Sequence, residues 1–530
     1  MREAMTCAEA TVRLLERYGV STVFGIPGVH TLDFCRGLDR GVRHIQARNE
    51  QGAGFMAEGW ARATGEPGVA LVISGPGVTN ASTPLGQAYA DSLPMLLISA
   101  DAASSTIGKG WGVLHEITDQ TQMTKPLTGF SATARRAQDV PELLARAFTL
   151  FASQRPRPVH ISIPIDVQAE QVDEDWQPVT LPGRPKADPE DIAKAANWLK
   201  GANSPLIMVG GGACDVGAAL SRIAERIGAI VIASTAGKGI IPDDHPLSLS
   251  ASTVRPEVLR ILPEADVILA VGTELSETDS FVERLNFKGR IIRIDIDPSK
   301  INDFYPADLG IVADAQSTIQ ALSVELNDFC ATGVEAAKER TALIRSKIRQ
   351  GLGAAEKQHA GVLDALATVA PTDIIWSGDA CQLVYTGAFT LPLRMPRKWF
   401  YPAGYCALGN ALPNAIGARL ARPETPVAVL VGDGGFMFTM PELLTAAELK
   451  LPIPIIIWEN GGLKQIQDDM DQRQISRVGV EGANPDFVAL ARACHAHAVD
   501  VDTHEALQGA FVEALQADRP TVIVCHEDWN

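Results

Sequence analysis

The chain has 530 residues, 46% hydrophobic and 21% charged, with a formal net charge of −17 at pH 7. This is the composition of a globular protein of three or four domains at about 150 residues each. Its acidity excludes a nucleic-acid partner, which needs clustered Lys and Arg. No run approaches the ~18 consecutive apolar residues of a membrane helix, so no membrane partner is expected. Eight cysteines, at 7, 35, 214, 330, 381, 406, 494 and 525, form no C-x-x-C pair. That is the usage of a reduced cytoplasmic protein rather than of a disulfide framework or a zinc site.

The opening stretch, MREAMTCAEATVRLLERYGV, carries early acids and no continuous apolar core. It predicts an amphipathic helix that begins the fold, not a secretory signal. At 48–65, RNEQGAGFMAEGWARATG predicts a helix dense in small and apolar residues, with Glu50 at its start. An acid there favours the helix N-terminus. Equally, a carboxyl group in apolar surroundings keeps a raised pKa and serves proton transfer.

Short apolar runs then alternate with helical patterns: VALVISG at 69–75, PMLLISA at 94–100, PLIMVGG at 205–211, DVILAVG at 266–272, RIIRIDID at 290–297 and PIIIW at 454–458. Continuous apolar strands between helices indicate parallel sheets covered on both faces. Composition shifts at 174–191, rich in Pro and charge, and at 332–350, a charged helix, suggest linkers. The expected domains are 1–175, 190–330 and 355–530.

The first and third blocks repeat one pattern. VALVISGPGVTNASTPLGQAYADSLPMLLISAD starts at Val69, and VAVLVGDGGFMFTMPELLTAAELKLPIPIIIWEN starts at Val427. Both read strand, G-x-G, a helix of about four turns, Leu-Pro, strand, acid, with Gly75 and Gly432 357 residues apart. Such a repeat implies two α/β domains of one topology. They differ at the loop, where Pro76 faces Asp433. A turn would suit Asp and Gly, but only the second copy carries the carboxylate, which favours a ligand. Asn460 and Gly462 in WENGG stand at the tip of the next strand, and adjacent parallel strands deliver their carboxyl ends to one crevice. One Asp oxygen, one Asn oxygen and a carbonyl suit Mg²⁺, which completes its shell with phosphate and water.

Together, Glu50 in RNEQGAGFMAEGWAR, SGPG at 74–77, GDG at 432–434 and EN at 459–460 resemble the thiamine-diphosphate-dependent 2-oxo-acid enzymes. That group includes acetolactate synthases, pyruvate oxidases and benzoylformate decarboxylases. The resemblance covers essentially the whole chain. It implies three doubly wound parallel-sheet α/β domains: pyrimidine-binding, central, and diphosphate- and Mg²⁺-binding. It implies a site between the pyrimidine domain of one subunit and the diphosphate domain of another, hence a homodimer at minimum and a homotetramer by expectation. Glu50 would hydrogen-bond the pyrimidine and drive its tautomerisation. Asp433, Asn460 and the Gly462 carbonyl would hold Mg²⁺, with Gly432 and Gly434 at the diphosphate. SGPG supplies Gly75 and Gly77, Gln382 in GDACQLVYTG matches a diphosphate contact, and Leu408 in GYCALGNALPNAIGA matches the residue that bends the cofactor.

Departures narrow the choice. Leu408 replaces the synthases' Met, and VLHE at 113–116 replaces their Phe-Gln-Glu, so His115 stands for a glutamine near the reacting carbonyl. A histidine there moves protons at neutral pH, as aldehyde release requires; a hydrogen-bonded loop histidine is the alternative. His30 in GIPGVHTLD is a second candidate, while His495 and His497 read as surface or packing residues. GIPGVHTLDFCRGL and GVLHEITDQ are most similar to the 5-guanidino-2-oxopentanoate (2-ketoarginine) decarboxylase branch. A guanidinium substrate wants carboxylates, and the helix GGLKQIQDDMDQRQ offers Asp468 and Asp469, which a solvated acidic face explains equally well. VGGGACDVG at 209–217 is weak evidence for FAD, and GTELSETDSF at 272–281 lacks the Arg-rich stretch of flavin-binding relatives, so a flavin-free state is expected. Rivals are an acetolactate-forming carboligase and a non-catalytic nucleotide-binding protein.

Overall fold

A computed structural model describes residues 5–38 and 40–527. Among them, three sheets are wholly parallel. The first holds β1 (Thr22–Gly25), β2 (Arg43–Gln46), β3 (Gly68–Val72), β4 (Met95–Asp101), β5 (Phe130–Thr133) and β6 (Val159–Pro164) in the order β2-β1-β3-β4-β6-β5. The central sheet holds β7 (Pro205–Val209), β8 (Ile230–Ala233), β9 (Val267–Val271), β10 (Arg290–Asp295) and β11 (Leu309–Val312), ordered β8-β7-β9-β10-β11. The third holds β12 (Ile375–Gly378), β13 (Trp399–Phe400), β14 (Val427–Gly432), β15 (Pro454–Glu459), β16 (His497–Val501) and β17 (Thr521–His526), ordered β13-β12-β14-β15-β17-β16. The first and third orders are the same permutation, as the repeat requires. The inner strands are mostly apolar because helices cover both faces of each sheet, while the edge strands β2 and β16 carry exposed polar residues.

The helix expected after each G-x-G is broken in two, as Pro76–Asn80 with Ser82–Ala90, and Asp433–Thr439 with Glu442–Glu448. In the first copy the Thr79 and Ser82 hydroxyls bond nearby carbonyls and bend the chain. In the second, Pro441 removes a helical donor at the break.

The two repeats pack on each other within the chain. Helix α1 (Glu50–Thr64) lies against a helix of the third unit, and between them in sequence runs α2 (Val334–Gln350). α2, in the charged stretch, is no free linker: it buries Ile344 and Ile348 on the central core. By contrast 173–188 runs without helix or strand. The helix facing α1 is α3 (Ala411–Ala421). A Cβ on Gly59 would stand 2.1 Å from the Asn414 carbonyl, and one on Gly417 1.9 Å from the Met56 carbonyl. Gly59 and Gly417, like Met56 and Asn414, are 358 residues apart. The contact is therefore a self-complementary pair between repeats, the geometry of an isologous interface. One hydrophobic core runs through both sheets, from Phe24 and Ala70 to Val429 and Ile455.

Candidate active site

The carboxyl ends of the first sheet's strands carry His30, Glu50, Gly75, Gly77 and His115. His30 Nδ1 lies 2.6 Å from the Ser74 hydroxyl, and the His30 and His115 rings meet edge-on with centroids 5.0 Å apart. Burial first, and the His115 charge second, hold His30 below the usual imidazole range. Gly75 takes φ +56°, and a Cβ there would stand 2.4 Å from the His115 carbonyl oxygen. Only glycine fits that approach. His115 itself is left-handed, with φ +59°, and its Nδ1 is buried without a partner.

Beneath this pair lies a buried polar support invisible in the sequence. The Gly75 amide donates to Gln120 Oε1 at 3.3 Å, while Gln120 Nε2 donates to the Ala100 carbonyl and the Ser162 hydroxyl, both at 2.8 Å. His160, fully buried, bridges Ser99 and Thr124 at 2.8 and 2.7 Å. Burial pushes its imidazole down to about 3 from an ordinary 6.5. A base kept neutral by the fold contributes stability that is complete above its unfolded pKa and lost as pH falls through the window toward 3, because only the unfolded chain takes the proton there. Urea unfolding across that window should show a slope of about 1.4 kcal/mol per pH unit from this residue, which His160→Gln removes. Equal slopes in the two proteins would contradict the assignment.

Glu50 is the first residue of α1 and is buried. Its carboxylate accepts from Asn80 Nδ2 at 2.9 Å. The helix start is held from the third unit by Glu442, whose Oε1 accepts the Arg48 and Asn49 amides at 3.0 and 3.1 Å. Glu442 escapes sequence reasoning because that contact spans nearly four hundred residues.

The third sheet gathers a second cluster at the ends of β12 to β15. Asp433, 1% exposed, follows β14. Its Oδ1 accepts the Gly434 amide at 2.7 Å; its Oδ2 accepts the amides of Asn460, Gly461 and Gly462 at 3.3, 2.8 and 3.1 Å. Asn484, not foreseen, adds Nδ2 at 2.8 Å and ties Asp433 to Glu459. Thus Asp433, Asn460 and Gly462 are brought together. Gln382 opens the helix after β12, and its Nε2 donates to Asp468 Oδ2 at 2.8 Å. Asp468 and Asp469 sit on α4 (Lys464–Gln472), where Lys464 also lies 3.6 Å from Asp468. Leu408 is half-buried in the loop between β13 and α3. The following Gly409 donates its amide to Asp379 Oδ2 at 2.8 Å. Burial pushes this wholly enclosed Asp379 up to about 6. It directly follows the Ser-Gly end of β12 in SGDACQ, a signal available in the sequence.

These residues fit a magnesium diphosphate. Among the described residues no cluster of three or more His, Cys, Asp or Glu has metal-binding geometry. One carboxylate with amide and carbonyl oxygens is a hard, incomplete set suited to Mg²⁺ with phosphate. Gln382 Oε1 is buried without a partner beside it, a polar group with a ligand still to meet. No hydrogen bond or ion pair among the described residues joins Glu50 to the Asp433 cluster.

Three family models match the chain: thiamine pyrophosphate enzyme, N-terminal TPP binding domain, at residues 5–123; central domain, at 192–322; and C-terminal TPP binding domain, at 379–525. The chain is 49% identical, over 93% of its length and 89% of the relative's, to a probable 2-ketoarginine decarboxylase, AruI, of Pseudomonas aeruginosa. It is 32% identical to a probable acetolactate synthase large subunit of Methanocaldococcus jannaschii, over 98% of this chain and 91% of that one. Against the acetolactate synthase isozyme 3 large subunit of Escherichia coli the figures are 31%, 98% and 94%.

Proposed function

The chain belongs to the thiamine pyrophosphate enzyme family, and on that premise we propose that it decarboxylates a 2-oxo acid non-oxidatively to an aldehyde and CO₂. The proposed substrate is a guanidino 2-oxo acid. Residues 1–175 form the pyrimidine-binding domain, 190–330 the central domain and 355–530 the diphosphate domain. Bound thiamine diphosphate supplies the electron sink for the carbanion left when CO₂ departs.

The protein's own residues do the rest. Asp433, Asn460 and the Gly462 carbonyl hold Mg²⁺; Gln382, Gly432 and Gly434 meet the diphosphate; Gly75 and Gly77 keep the pyrimidine side open. Glu50 holds the proton exchanged with the pyrimidine nitrogen, and Leu408 props the bound conformation. No hydrogen bond or ion pair among the described residues joins Glu50 to Asp433, and exposed apolar side chains occur in the segments of both clusters. Val29, Leu32 and Leu114 are exposed in the loops that carry the histidines, and Phe438, Leu463 and Ile466 are exposed in the segments that follow Asp433 and Asn460. This supports a site completed by a second copy, in a homodimer or homotetramer. No residue role requires flavin. All eight cysteines are free, which supports a cytoplasmic setting; no helix among the described residues is long and apolar enough to cross a membrane.

The observation that carries decarboxylation over ligation is the His30–His115 pair. The two imidazoles stand beside Gly75, which supports a proton donor for the carbanion there. The second reading, acetolactate formation, draws on the synthase relatives. Incubation with pyruvate and, separately, with 5-guanidino-2-oxopentanoate, followed by NMR of products, distinguishes them. Aldehyde from the guanidino acid is expected, with removal of both Asp468 and Asp469 raising its KM more than that of a neutral 2-oxo acid. Acetolactate from pyruvate with the guanidino acid untouched would overturn the proposal.

A further inference from the structure

The loop that carries Leu408 is suspended between two domains of the same chain. From the third domain, Asp379 accepts the Gly409 amide, and the Thr439 hydroxyl donates to the Gly409 carbonyl at 2.6 Å. From the first, Asp91 Oδ1 accepts the Gly404 amide at 2.9 Å, and Gln87 Oε1 accepts the Ala407 amide at 3.1 Å. The two acceptors are locked together, Gln87 Nε2 donating to Asp91 Oδ2 at 2.7 Å. Behind them Arg62, from α1, pairs with both Asp91 and Glu58, and Asn414 of α3 donates to Glu58 at 3.3 Å. Gly86 completes the approach: a Cβ there would stand 2.7 Å from the Tyr405 ring.

The loop needs such restraint. Cys406 is held left-handed at φ +56° and Gly409 at +85°, and a non-glycine residue at positive φ persists only where its surroundings over-determine it. Leu408 sits between two restrained amides, Ala407 and Gly409. Its side chain is therefore aimed by the backbone and not by its own packing, since it is only half-buried.

We infer that Gln87 and Asp91 are positioning residues that set the backbone of Leu408, and through it the ring end of the cofactor rather than its diphosphate end. The inference rests on the reading of Leu408 as the side chain that props the cofactor. Neither residue contacts the Asp433 cluster through any hydrogen bond among the described residues, so the two ends of the ligand report different parts of the protein.

The test compares binding of thiamine diphosphate and of inorganic diphosphate, each with Mg²⁺, to the full-length apoprotein by calorimetry. Gln87→Leu and Asp91→Asn should each weaken thiamine diphosphate binding about tenfold, the worth of one buried hydrogen bond, and leave inorganic diphosphate binding unchanged. Amide exchange at Gly404 and Ala407 should quicken in the same apoproteins. A thermal midpoint of Gln87→Leu close to wild type, beside unchanged inorganic diphosphate binding, separates positioning from general instability. Should Asp91→Asn fail to fold, Gln87→Leu, which removes the Ala407 and Asp91 hydrogen bonds but no ion pair, decides the matter. Leu408→Ala is the control for the premise. If it weakens thiamine diphosphate selectively and Gln87→Leu does not, the positioning role is wrong. If Leu408→Ala has no selective effect, the reading of Leu408 itself is wrong.

Discussion

Glu50→Gln should lower turnover by about a thousandfold, the scale of a lost proton-transfer group, while the fold and thiamine diphosphate affinity stay close to wild type. Gln keeps the size and still accepts from Asn80, whose Nδ2 lies 2.9 Å from the carboxylate. Helix α1 keeps its start, because Asn49 caps it by accepting the Gln51 amide and Glu442 holds the Arg48 and Asn49 amides from outside. What disappears is the titratable proton. The measurement is steady-state turnover beside calorimetric cofactor affinity and the thermal midpoint. Near-normal turnover would reject the proton role and leave Glu50 as an acid at a helix start. A large loss of stability would show that its charge serves the fold.

Asp433→Ala should weaken cofactor binding by at least about a hundredfold at ordinary Mg²⁺. That scale corresponds to losing a charge-assisted ligand with its hydrogen bonds. Activity should then depend on unusually high Mg²⁺ and cofactor. The carboxylate does two things. It would supply the one anionic metal ligand, and its Oδ2 gathers the amides of Asn460, Gly461 and Gly462 with the Asn484 carboxamide. Gly461 and Gly462 both hold positive φ, +79° and +126°, so without that acceptor the loop loses the restraint that aims Asn460 and the Gly462 carbonyl. Asn484→Ala separates the roles: it removes one donor to Asp433, keeps the carboxylate, and should cost far less affinity. Calorimetric titration with thiamine diphosphate at graded Mg²⁺ reads both variants. Unchanged affinity in Asp433→Ala would reject the ligand role.

The sequence alone determined the architecture and the residues most closely tied to local structure. Apolar runs of strand length between helical patterns imply covered parallel sheets, and the matched G-x-G and Leu-Pro units imply two copies of one topology. Asp433 and Asn460 were legible because a strand tip is a local feature, and the register of adjacent strands follows from the repeat. Glu50 was legible as an acid at a helix start. The tertiary structure alone decided what depends on long-range contact. Glu442 reaches α1 from a residue nearly four hundred positions away, Asn484 returns to Asp433 after an excursion of 51 residues, and Gln120 and His160 form a polar floor whose members lie on two strands and a short helix. The pairing of His30 with His115 was of this kind too: two histidines in separate loops carry no mark of proximity until β1 and β4 are placed in one sheet. Likewise Asp468 looked free on an acidic helix face, but folding brings Gln382 to it. Periodicity and turn chemistry encode neighbours a few residues apart, whereas hydrogen-bond partners across a sheet or between domains are selected only when packing brings buried polar groups to where each must be satisfied.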